Sequence, residues 1–283
     1  MKAGDWLIQA TKKLEKSGIS TARLDCLVLL EDATGKDRAW LLAHLNNNFS
    51  PLLQGRTLQT LNEQIKKRAM HEPLAYIRGK TEFYGREFIV NKDVLEPRPE
   101  SETMIELLKQ SANTHQLVAN SYVVDIGTGS GALAITAKLE TPSVKVIATD
   151  IDHKCLQVAK KNANKYCVDI EFYKGNLLDP LSTKRYALYA ILANLPYVPD
   201  SYQINQAAAM EPRKAIYGGV DGLDIYRQLF DQINWGNCRV QYLLTESLPF
   251  QHKALKSIAQ KTGFKLVKTN DFIQLFTSLA HSV

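Results

Sequence analysis

The residues best suited to chemistry form one tetrapeptide, Asn194-Leu195-Pro196-Tyr197, which follows the apolar run Ala187–Ala193. The Asn194 side-chain carbonyl and the Leu195 backbone carbonyl are able to accept the two N–H bonds of an amide or an exocyclic amine. Pro196 would stiffen the turn through its fixed φ, and Tyr197 would offer a flat face to a planar group. The tetrapeptide therefore suits methylation of a planar nitrogen, and the alternative is an ordinary turn after a strand.

The chemistry expected of such a site is mainly positioning. The lone pair of an amide or aniline-like nitrogen is delocalised, so the protein must aim the nitrogen at an activated methyl group such as that of S-adenosylmethionine. Positioning supplies roughly 7–11 kcal/mol in the most favourable intramolecular models. No metal ion or covalent intermediate is required, and we expect no metal site.

A glycine-rich turn lies upstream of the tetrapeptide. After the strand-like run Tyr122–Ile126 the chain reads Gly-Thr-Gly-Ser-Gly and then continues as a helix. Glycines let a backbone approach a ligand closely, and a helix N-terminus offers free N–H groups. The turn predicts a nucleoside-cofactor site formed by Gly127, Thr128, Gly129, Ser130 and Gly131.

A dinucleotide-binding dehydrogenase is the rival interpretation, since Gly127-x-Gly129-x-x-Ala132 loosely fits that fingerprint. Asp125, two residues before the first glycine, suits a cationic amino-acid moiety better than a pyrophosphate. Asp150 ends the second strand and would bind ribose hydroxyls in either class of protein. Because a dehydrogenase has no use for the Asn194 tetrapeptide, the combination favours a methyltransferase.

Composition sets the outer limits of the function. The chain has 283 residues, 45% of them hydrophobic and 23% charged, and a formal net charge of +6. It contains no apolar run of membrane-spanning length, and we expect no secretory leader. The scattered Cys26, Cys155, Cys167 and Cys238 are expected to be reduced. We expect a cytoplasmic protein without a membrane partner. The positive charge alone does not decide whether nucleic acid is bound.

The N-terminal quarter predicts helices only. Apolar spacing indicates helices from Trp6 to Gly18, from Leu24 to Gly35 and from Asp37 to Leu45, and Ser50-Pro51 would begin a fourth that ends near Met70. A β-hairpin is predicted around Gly85, and Pro97 and Pro99 impose an extended link. The predicted domains are a helical bundle at 1–72, a hairpin and linker at 73–100, and a catalytic domain at 101–283.

The catalytic domain alternates strand and helix, which predicts an α/β fold with a mainly parallel sheet. Two final strands joined by a very short link must be antiparallel neighbours. The predicted strands are Tyr122–Ile126, Val144–Thr149, Ile170–Tyr173, Ala187–Ala193, Val240–Thr245, Phe264–Val267 and Phe272–Phe276.

Nearly the whole chain resembles the protein-(glutamine-N5) methyltransferases that modify peptide chain release factors. Three further segments carry the resemblance: Pro73–Gly79, Pro97–Glu102 and Glu211–Tyr226. So does the order of helical bundle, hairpin and methyltransferase domain. The resemblance implies a Rossmann-like, seven-stranded class I methyltransferase sheet beside a small N-terminal bundle that recognises the substrate.

The resemblance also implies roles for particular residues. S-adenosylmethionine would be bound by the glycine turn, Asp125, Asp150 and Asn194, with Leu177 against the adenine and Asn176 beside it. The methyl acceptor would be the glutamine of the Gly-Gly-Gln loop of a release factor, bound by Asn194 to Tyr197. Arg98 and Glu100 would belong to a segment that closes over the active site. We expect a monomer with no direct nucleic-acid contact.

The chain departs from that family in several places. The family's tetrapeptide is usually Asn-Pro-Pro-Tyr, whereas Leu195 gives the form found in ribosomal-RNA adenine dimethyltransferases. Trp235-Gly-Asn-Cys238 replaces a glycine pair, Glu246 lacks the glycine that usually follows it, and the last hairpin lacks an Asp-Arg segment. Two alternatives stay open: an adenine-N6 methyltransferase acting on RNA or DNA, and a non-catalytic binding module that retains the fold.

Overall fold

A computed structural model describes residues 2–46, 54–114, 121–182, 187–235 and 239–279. Contacts divide the chain into two compact units. The first comprises Met1–Gly79 and Asn205–Met210, and the second comprises Lys80–Ile204 and Glu211–Val283. Among the described residues, no helix combines the length and the apolar character needed to cross a bilayer.

The first unit consists of helices. They are α1 Ala3–Lys16, α2 Ala22–Thr34, α3 Arg38–His44, α4 Gly55–Ala69 and α5 Leu74–Arg78. The predicted first three helices are confirmed, and Asp37 accepts a bond from the Trp40 N–H as the N-cap of α3. The predicted start at Ser50-Pro51 lies outside the described residues.

Helix α5 was not predicted, although its sequence carries two boundary signals. Pro73 lies immediately before it, and Gly79 ends it in the left-handed conformation, with φ of 73°. The core of the first unit comes mainly from α1, α2 and α4, where Leu14, Leu30 and Leu61 are fully buried.

The second unit opens with a β-hairpin, as the sequence predicted. Strands β1 Lys80–Phe83 and β2 Arg86–Ile89 pair antiparallel. Tyr84 and Gly85, which join them, both have positive φ, as a two-residue hairpin turn favours. The Asn162 side chain accepts from the Ile89 N–H and donates to the Ile89 carbonyl, at 2.8 and 2.9 Å. The hairpin is thereby tied to the helix that carries Asn162.

A seven-stranded sheet forms the centre of the second unit, in the order β5-β4-β3-β6-β7-β9-β8. Its strands are β3 Tyr122–Ile126, β4 Lys145–Asp150, β5 Glu171–Lys174, β6 Ala187–Ala193, β7 Arg239–Glu246, β8 Phe264–Asn270 and β9 Ile273–Ser278. Strands β3 to β7 are parallel, and β9 runs antiparallel to both β7 and β8. The predicted seven-stranded α/β fold and its antiparallel final pair are confirmed.

Helices cover both faces of this sheet. They are α6 Glu102–Thr114, α7 Ala132–Glu140, α8 His153–Lys165, α9 Asp224–Trp235 and α10 His252–Lys261. Val123 and Val124, consecutive residues of β3, belong to two different hydrophobic clusters. Since consecutive side chains of a strand point to opposite faces, the sheet is buried on both sides.

The topology determines where a site forms. Strand β3 lies between β4 and β6, so the strand order reverses there, and ligands of open α/β sheets bind at the carboxyl ends of strands at such a point. The glycine turn follows β3, Asp150 ends β4, and the tetrapeptide follows β6. The three predicted site segments are therefore neighbours at one edge of the sheet.

Candidate active site

The glycine turn has a backbone that other residues adopt with difficulty. Gly127, Gly129 and Gly131 all have left-handed φ, of 69°, 54° and 81°. A Cβ on Gly131 would lie 3.0 Å from the Cβ of Ala159, so a side chain there would crowd the contact between the start of α7 and α8. The N–H groups of Gly127 and Thr128 both donate to the Thr149 carbonyl of β4, at 2.9 and 3.0 Å.

Asp125 lies beneath the turn and is only 1% exposed. Its Oδ2 accepts from Thr128 Oγ1 at 2.6 Å and from the Ala134 N–H at 3.1 Å. Burial raises the pKa of Asp125 to about 7. The carboxylate therefore joins the turn to the first residues of α7. Its expected contact with a cationic amino-acid moiety stays a prediction.

Asp150 connects β4 to the same turn. Its Oδ2 accepts from the Gly129 N–H at 3.0 Å, and its Oδ1 accepts from the Asp152 N–H at 2.8 Å. Burial is the main cause that raises its pKa above the usual range of an aspartate. Each carboxylate oxygen can accept a second hydrogen bond, so Asp150 can hold the turn and still bind hydroxyl groups.

A cavity of about 300 Å³ opens between these segments. Eight predicted site residues line it: Gly127, Gly129, Asp150, Asn176, Leu177, Asn194, Leu195 and Pro196. Asp125, Thr128 and Ser130 instead line a smaller cavity of about 50 Å³, which shares Gly127, Gly129 and Asn194 with the first. Gly131, Tyr197, Arg98 and Glu100 line neither of these two cavities.

Leu177 has an unusual backbone for a branched residue. Its φ is 52°, in the left-handed region, and its carbonyl accepts from Thr149 Oγ1 at 2.9 Å. Left-handed conformations of such residues are costly and concentrate at functional sites. Leu177 is largely buried and lines the larger cavity, and its predicted contact with an adenine stays a prediction.

Sequence reasoning missed several residues that line the larger cavity: Asp93, Leu95, Ile151, Cys155, Gly175, Pro212, Lys214, Ala215 and Ile225. Pro212, Lys214, Ala215 and Ile225 lie in the Glu211–Tyr226 segment that carries the resemblance, which was the available signal. For Asp93 and Cys155 the sequence offers none. Within the described ranges, no group of three or more His, Cys, Asp or Glu side chains could hold a metal ion.

The polar side chains of the tetrapeptide, Asn194 and Tyr197, are half-buried and belong to a hydrogen-bond network whose centre, Ser101 and Glu246, is buried. Asn194 Nδ2 donates to Ser101 Oγ at 2.9 Å, and Ser101 Oγ lies 2.6 Å from Glu246 Oε2. The Tyr197 hydroxyl donates to the other oxygen, Glu246 Oε1, at 3.0 Å. Glu246 is 1% exposed, and burial raises its pKa to about 7. The Glu246 carboxylate thus holds Tyr197 directly and Asn194 through the Ser101 hydroxyl.

The Tyr226 hydroxyl forms a second set of contacts, with the ends of β6 and β7 that precede Asn194 and carry Glu246. The fully buried Tyr226 hydroxyl lies 2.8 Å from the Ala193 carbonyl and 2.5 Å from the Glu246 carbonyl. It also accepts from the Glu246 N–H at 3.1 Å. Tyr226 therefore holds the ends of β6 and β7 together beside the tetrapeptide.

The Glu211–Tyr226 segment contacts the backbone that follows the tetrapeptide. The Val198 N–H donates to the Ile216 carbonyl and the Gly218 N–H donates to the Val198 carbonyl, at 2.9 and 3.0 Å. Gln251 Nε2 reaches the carbonyls of Tyr197 and Asp221, both at 2.7 Å. The segment and Gln251, which lies immediately before α10, both hold this loop by hydrogen bonds.

Arg98 and Glu100 occupy different environments. Arg98 forms an ion pair with the buried Glu211, whose second oxygen accepts from the Glu96 N–H at 3.0 Å. Glu100 is exposed. Arg98 thus joins the linker that precedes α6 to the start of the Glu211–Tyr226 segment, and its predicted contact with a substrate stays a prediction.

The close packing at Gly222 yields a stability prediction. A Cβ at Gly222 would overlap the Tyr197 carbonyl oxygen and Gln251 Nε2, whereas one at Gly263 meets nothing within 4 Å. Both glycines have nearly the same φ, 79° and 80°, so alanine imposes the same backbone strain at each. Gly222→Ala should lower the free energy of unfolding by about 1–3 kcal/mol more than Gly263→Ala, the usual cost of overpacking. Urea denaturation measures the difference. Equal losses of unfolding free energy in the two variants would show that the loop around Gly222 rearranges to accept the side chain.

The comparisons with known proteins agree with this geometry. Residues 5–79 match the PrmC N-terminal domain family, and residues 100–211 match the Methyltransferase small domain family. Among solved structures, the hMettl16 catalytic domain in complex with the MAT2A 3'UTR hairpin 6 superposes with a TM-score of 0.54 at 15% identity, covering 78% of this chain and 84% of that one. At that identity the likeness concerns the fold alone.

Curated relatives extend along most of the chain. A release factor glutamine methyltransferase of Bacillus subtilis is 38% identical over 211 residues, covering 73% of this chain and 72% of the relative. One of Coxiella burnetii is 33% identical over 262 residues, covering 91% of each. The chain belongs to the family of release factor glutamine methyltransferases.

Proposed function

We propose that this protein transfers a methyl group from S-adenosylmethionine to the side-chain amide nitrogen of the glutamine in the Gly-Gly-Gln loop of peptide chain release factors. One observation carries the proposal: the Asn194 amide is held at the rim of the cavity with Nδ2 bonded to Ser101. The other atom of the planar amide, Oδ1, is then the group presented to a substrate N–H.

The larger cavity fits S-adenosylmethionine. The backbone of Gly127 and Gly129 forms part of the cavity wall, and a Cβ on Gly127 would lie 3.3 Å from the Leu195 side chain. Asp150 supplies a carboxylate suited to two ribose hydroxyls, and Leu177 an apolar side chain suited to a purine face. When bound, the cofactor supplies an electrophilic methyl group whose leaving group is a neutral thioether.

The tetrapeptide performs the positioning. Asn194 Oδ1 and the Leu195 carbonyl accept the two N–H bonds of the glutamine amide, and this holds the nitrogen in line with the methyl group. As the new bond from nitrogen to carbon forms, the nitrogen releases one of its two protons to solvent. Leu195 is 3% exposed and packs in the core, so its backbone, not its side chain, serves the acceptor. Pro196 and the ring of Tyr197 confine the planar amide from the side.

The direct experiment compares acceptors. The protein is incubated with methyl-labelled S-adenosylmethionine and either a release factor, a release factor whose loop glutamine is replaced by asparagine, or ribosomal RNA. Label on the unaltered release factor alone is expected. Label on RNA would instead support the adenine-N6 alternative that the Leu195 form of the tetrapeptide raises, and no label on any acceptor would support a binding module.

Asp150→Ala should weaken S-adenosylmethionine binding about ten- to a hundredfold. The expected loss reflects charge-assisted hydrogen bonds to the ribose, worth roughly 1.5–3 kcal/mol, together with the lost anchor of the Gly129 N–H. Isothermal titration calorimetry measures the dissociation constant. Asp169→Ala, at an exposed position before β5, is the control and should change nothing. An unchanged constant for Asp150→Ala would remove Asp150 from the cofactor site.

Asn194→Ala should separate catalysis from cofactor binding. Loss of one preorganised hydrogen-bonding group costs about a hundred- to a thousandfold in turnover. The dissociation constant of S-adenosylmethionine should change less than about threefold, because Asn194 anchors mainly the acceptor while the glycine turn and Asp150 still hold the cofactor. Single-turnover methylation and calorimetry measure the two. The exposed Asn270→Ala is the control. If cofactor affinity fell together with activity, Asn194 would hold the donor and not the acceptor.

The helical first unit is proposed to recognise the body of the release factor. It matches a family model separate from that of the methyltransferase domain. Its surface also carries exposed apolar side chains, with Ile8 57%, Leu24 47% and Met70 65% exposed. Scattered apolar side chains are normal on a surface, so substitution must decide whether they contact the substrate.

Surface substitutions test this role without removing the unit. Ile8→Ser, Leu24→Ser and Met70→Ser, made singly, are expected to lower kcat/KM for the full release factor, and at least one by about tenfold. Methylation of a short Gly-Gly-Gln peptide should stay unchanged because the peptide never makes these contacts. Val267→Ser, which alters a 55% exposed side chain on β8, is the control. Equal effects on peptide and protein in every variant would argue against recognition by these side chains.

A monomeric state, cytoplasmic location and the absence of a direct nucleic-acid contact belong to the same proposal. Light scattering of the purified protein tests the first, and the ribosomal RNA arm of the methylation experiment bears on the last.

A further inference from the structure

The hydrogen-bond network that runs from Asn194 through Ser101 and Glu246 to Tyr197 joins three elements that are distant in sequence. Ser101 ends the short 3-10 helix Pro99–Ser101, and Glu246 ends β7. Ser101 lies 93 residues from Asn194 and 145 from Glu246, yet its hydroxyl bonds both. Ser101 and Glu246 are 2% and 1% exposed, whereas Asn194 and Tyr197 are half-buried.

The charge of Glu246 determines which groups donate and which accept in this hydrogen-bond network. An ionised carboxylate only accepts hydrogen bonds, and a serine hydroxyl has a single proton. While Glu246 is ionised, the Ser101 proton must point to Glu246 Oε2, and Ser101 Oγ has only lone pairs left for Asn194. An asparagine amide has a donor end and an acceptor end. Only the orientation with Nδ2 towards Ser101 then satisfies both groups.

We infer that Ser101 is a positioning residue for methyl transfer, and that the ionised Glu246 fixes, through the Ser101 hydroxyl, the orientation of the Asn194 amide that turns Oδ1 to the acceptor. This inference rests on the proposed function for its catalytic consequence, but the orientation itself is a property of the protein without substrate.

Protonation of Glu246 removes the constraint. A carboxylic acid is able to donate to Ser101 Oγ, which frees the Ser101 proton to donate to Asn194. The amide then satisfies Ser101 equally well with Oδ1, and Nδ2 would face the N–H groups of the glutamine. Two donors cannot form a hydrogen bond, so the flipped amide is inactive.

The groups around Glu246 place this change near neutral pH. Burial raises the pKa of Glu246 to about 7, the hydrogen bonds from Ser101 and Tyr197 act against the rise, the charge of Glu100 adds to it and that of Arg98 opposes it. From the neighbouring helices, Tyr226 contacts the Glu246 backbone and His252 contacts the Ser247 carbonyl. Because an acid is ionised above its pKa, the Asn194 amide is held in the active orientation above about pH 7 and is free to adopt either orientation below it.

A pH profile of activity alone would not identify Glu246, because the pKa of Asp125 is also raised to about 7. The decisive readout is the NMR resonance of the Asn194 side-chain NH2 in asparagine-labelled protein, assigned by its disappearance in Asn194→Asp. In the unmodified protein it should shift between pH 5.5 and 8.5 with a midpoint near 7. In Glu246→Gln, which cannot ionise, the shift should be absent.

Kinetics complete the test. Ser101→Ala should lower kcat about tenfold, the effect of one lost hydrogen bond, with an S-adenosylmethionine dissociation constant within about twofold of the starting protein. Ser101→Thr retains the hydroxyl and should recover most of the activity, and Ser101→Cys serves in its place if thermal denaturation shows that threonine does not fit. Full kcat in Ser101→Ala, or an unchanged Asn194 titration in Glu246→Gln, would overturn the inference.

The two proposals fail differently. If the unmodified protein methylates no release factor while the Asn194 resonance still titrates in a Glu246-dependent way, the proposed function is wrong and the orientation mechanism stands. If release factor is methylated but the titration of the Asn194 resonance does not depend on Glu246, the proposed function stands and the orientation mechanism is wrong.

Discussion

The burial of the Glu246 carboxylate is the interaction on which the active-site arrangement depends. A carboxylate that is 1% exposed loses its hydration, a cost of several kcal/mol unless hydrogen bonds replace the water. The hydroxyls of Ser101 and Tyr197 provide that replacement, at 2.6 and 3.0 Å. These two bonds restrict the orientations of the Ser101 and Tyr197 side chains. The tetrapeptide inherits its geometry from the need to satisfy this one buried charge.

The rest of the second unit can be understood as support for that arrangement. The parallel order of β4, β3 and β6 brings the glycine turn, Asp150 and the tetrapeptide to one edge of the sheet. Gln251 and the Glu211–Tyr226 segment then hold the backbone after Tyr197 by direct hydrogen bonds. A loop tied at so many points loses little further entropy when a substrate binds, and preorganisation of this kind is what a reaction driven by positioning requires.

Much of this fold follows from local sequence. Strands β3 and β6 have the predicted bounds, because mainly apolar runs with clear ends, interrupted in β3 only by Asp125, mark strands that are buried on both faces. Other strand ends differ by up to three residues, as β8 does, since exposed residues such as Lys268 and Thr269 extend it without an apolar signal. Helix α5 was missed because five residues are too few to show periodicity, although Pro73 and Gly79 mark its ends.

The sequence predicts the segments that form the candidate site but not the hydrogen bonds that join them. Glycines, an acidic strand end and the tetrapeptide are local patterns, and six of the residues named from them line the larger cavity; Asn176 and Leu177, which also line it, were named from the family resemblance. Ser101, Tyr226 and Gln251 act through hydrogen bonds to residues 20 to 145 positions away. Such partners are set by packing and rotamers in the folded chain, which no local pattern encodes.

The most direct test of this account is a crystal structure of the protein with S-adenosylhomocysteine and a Gly-Gly-Gln peptide. We expect the glutamine amide nitrogen within hydrogen-bonding distance of both Asn194 Oδ1 and the Leu195 carbonyl, with Asn194 Nδ2 still bonded to Ser101. A glutamine amide bound away from Asn194, or an Asn194 amide turned with Nδ2 towards the peptide, would contradict the central claim that the Glu246 network positions the methyl acceptor.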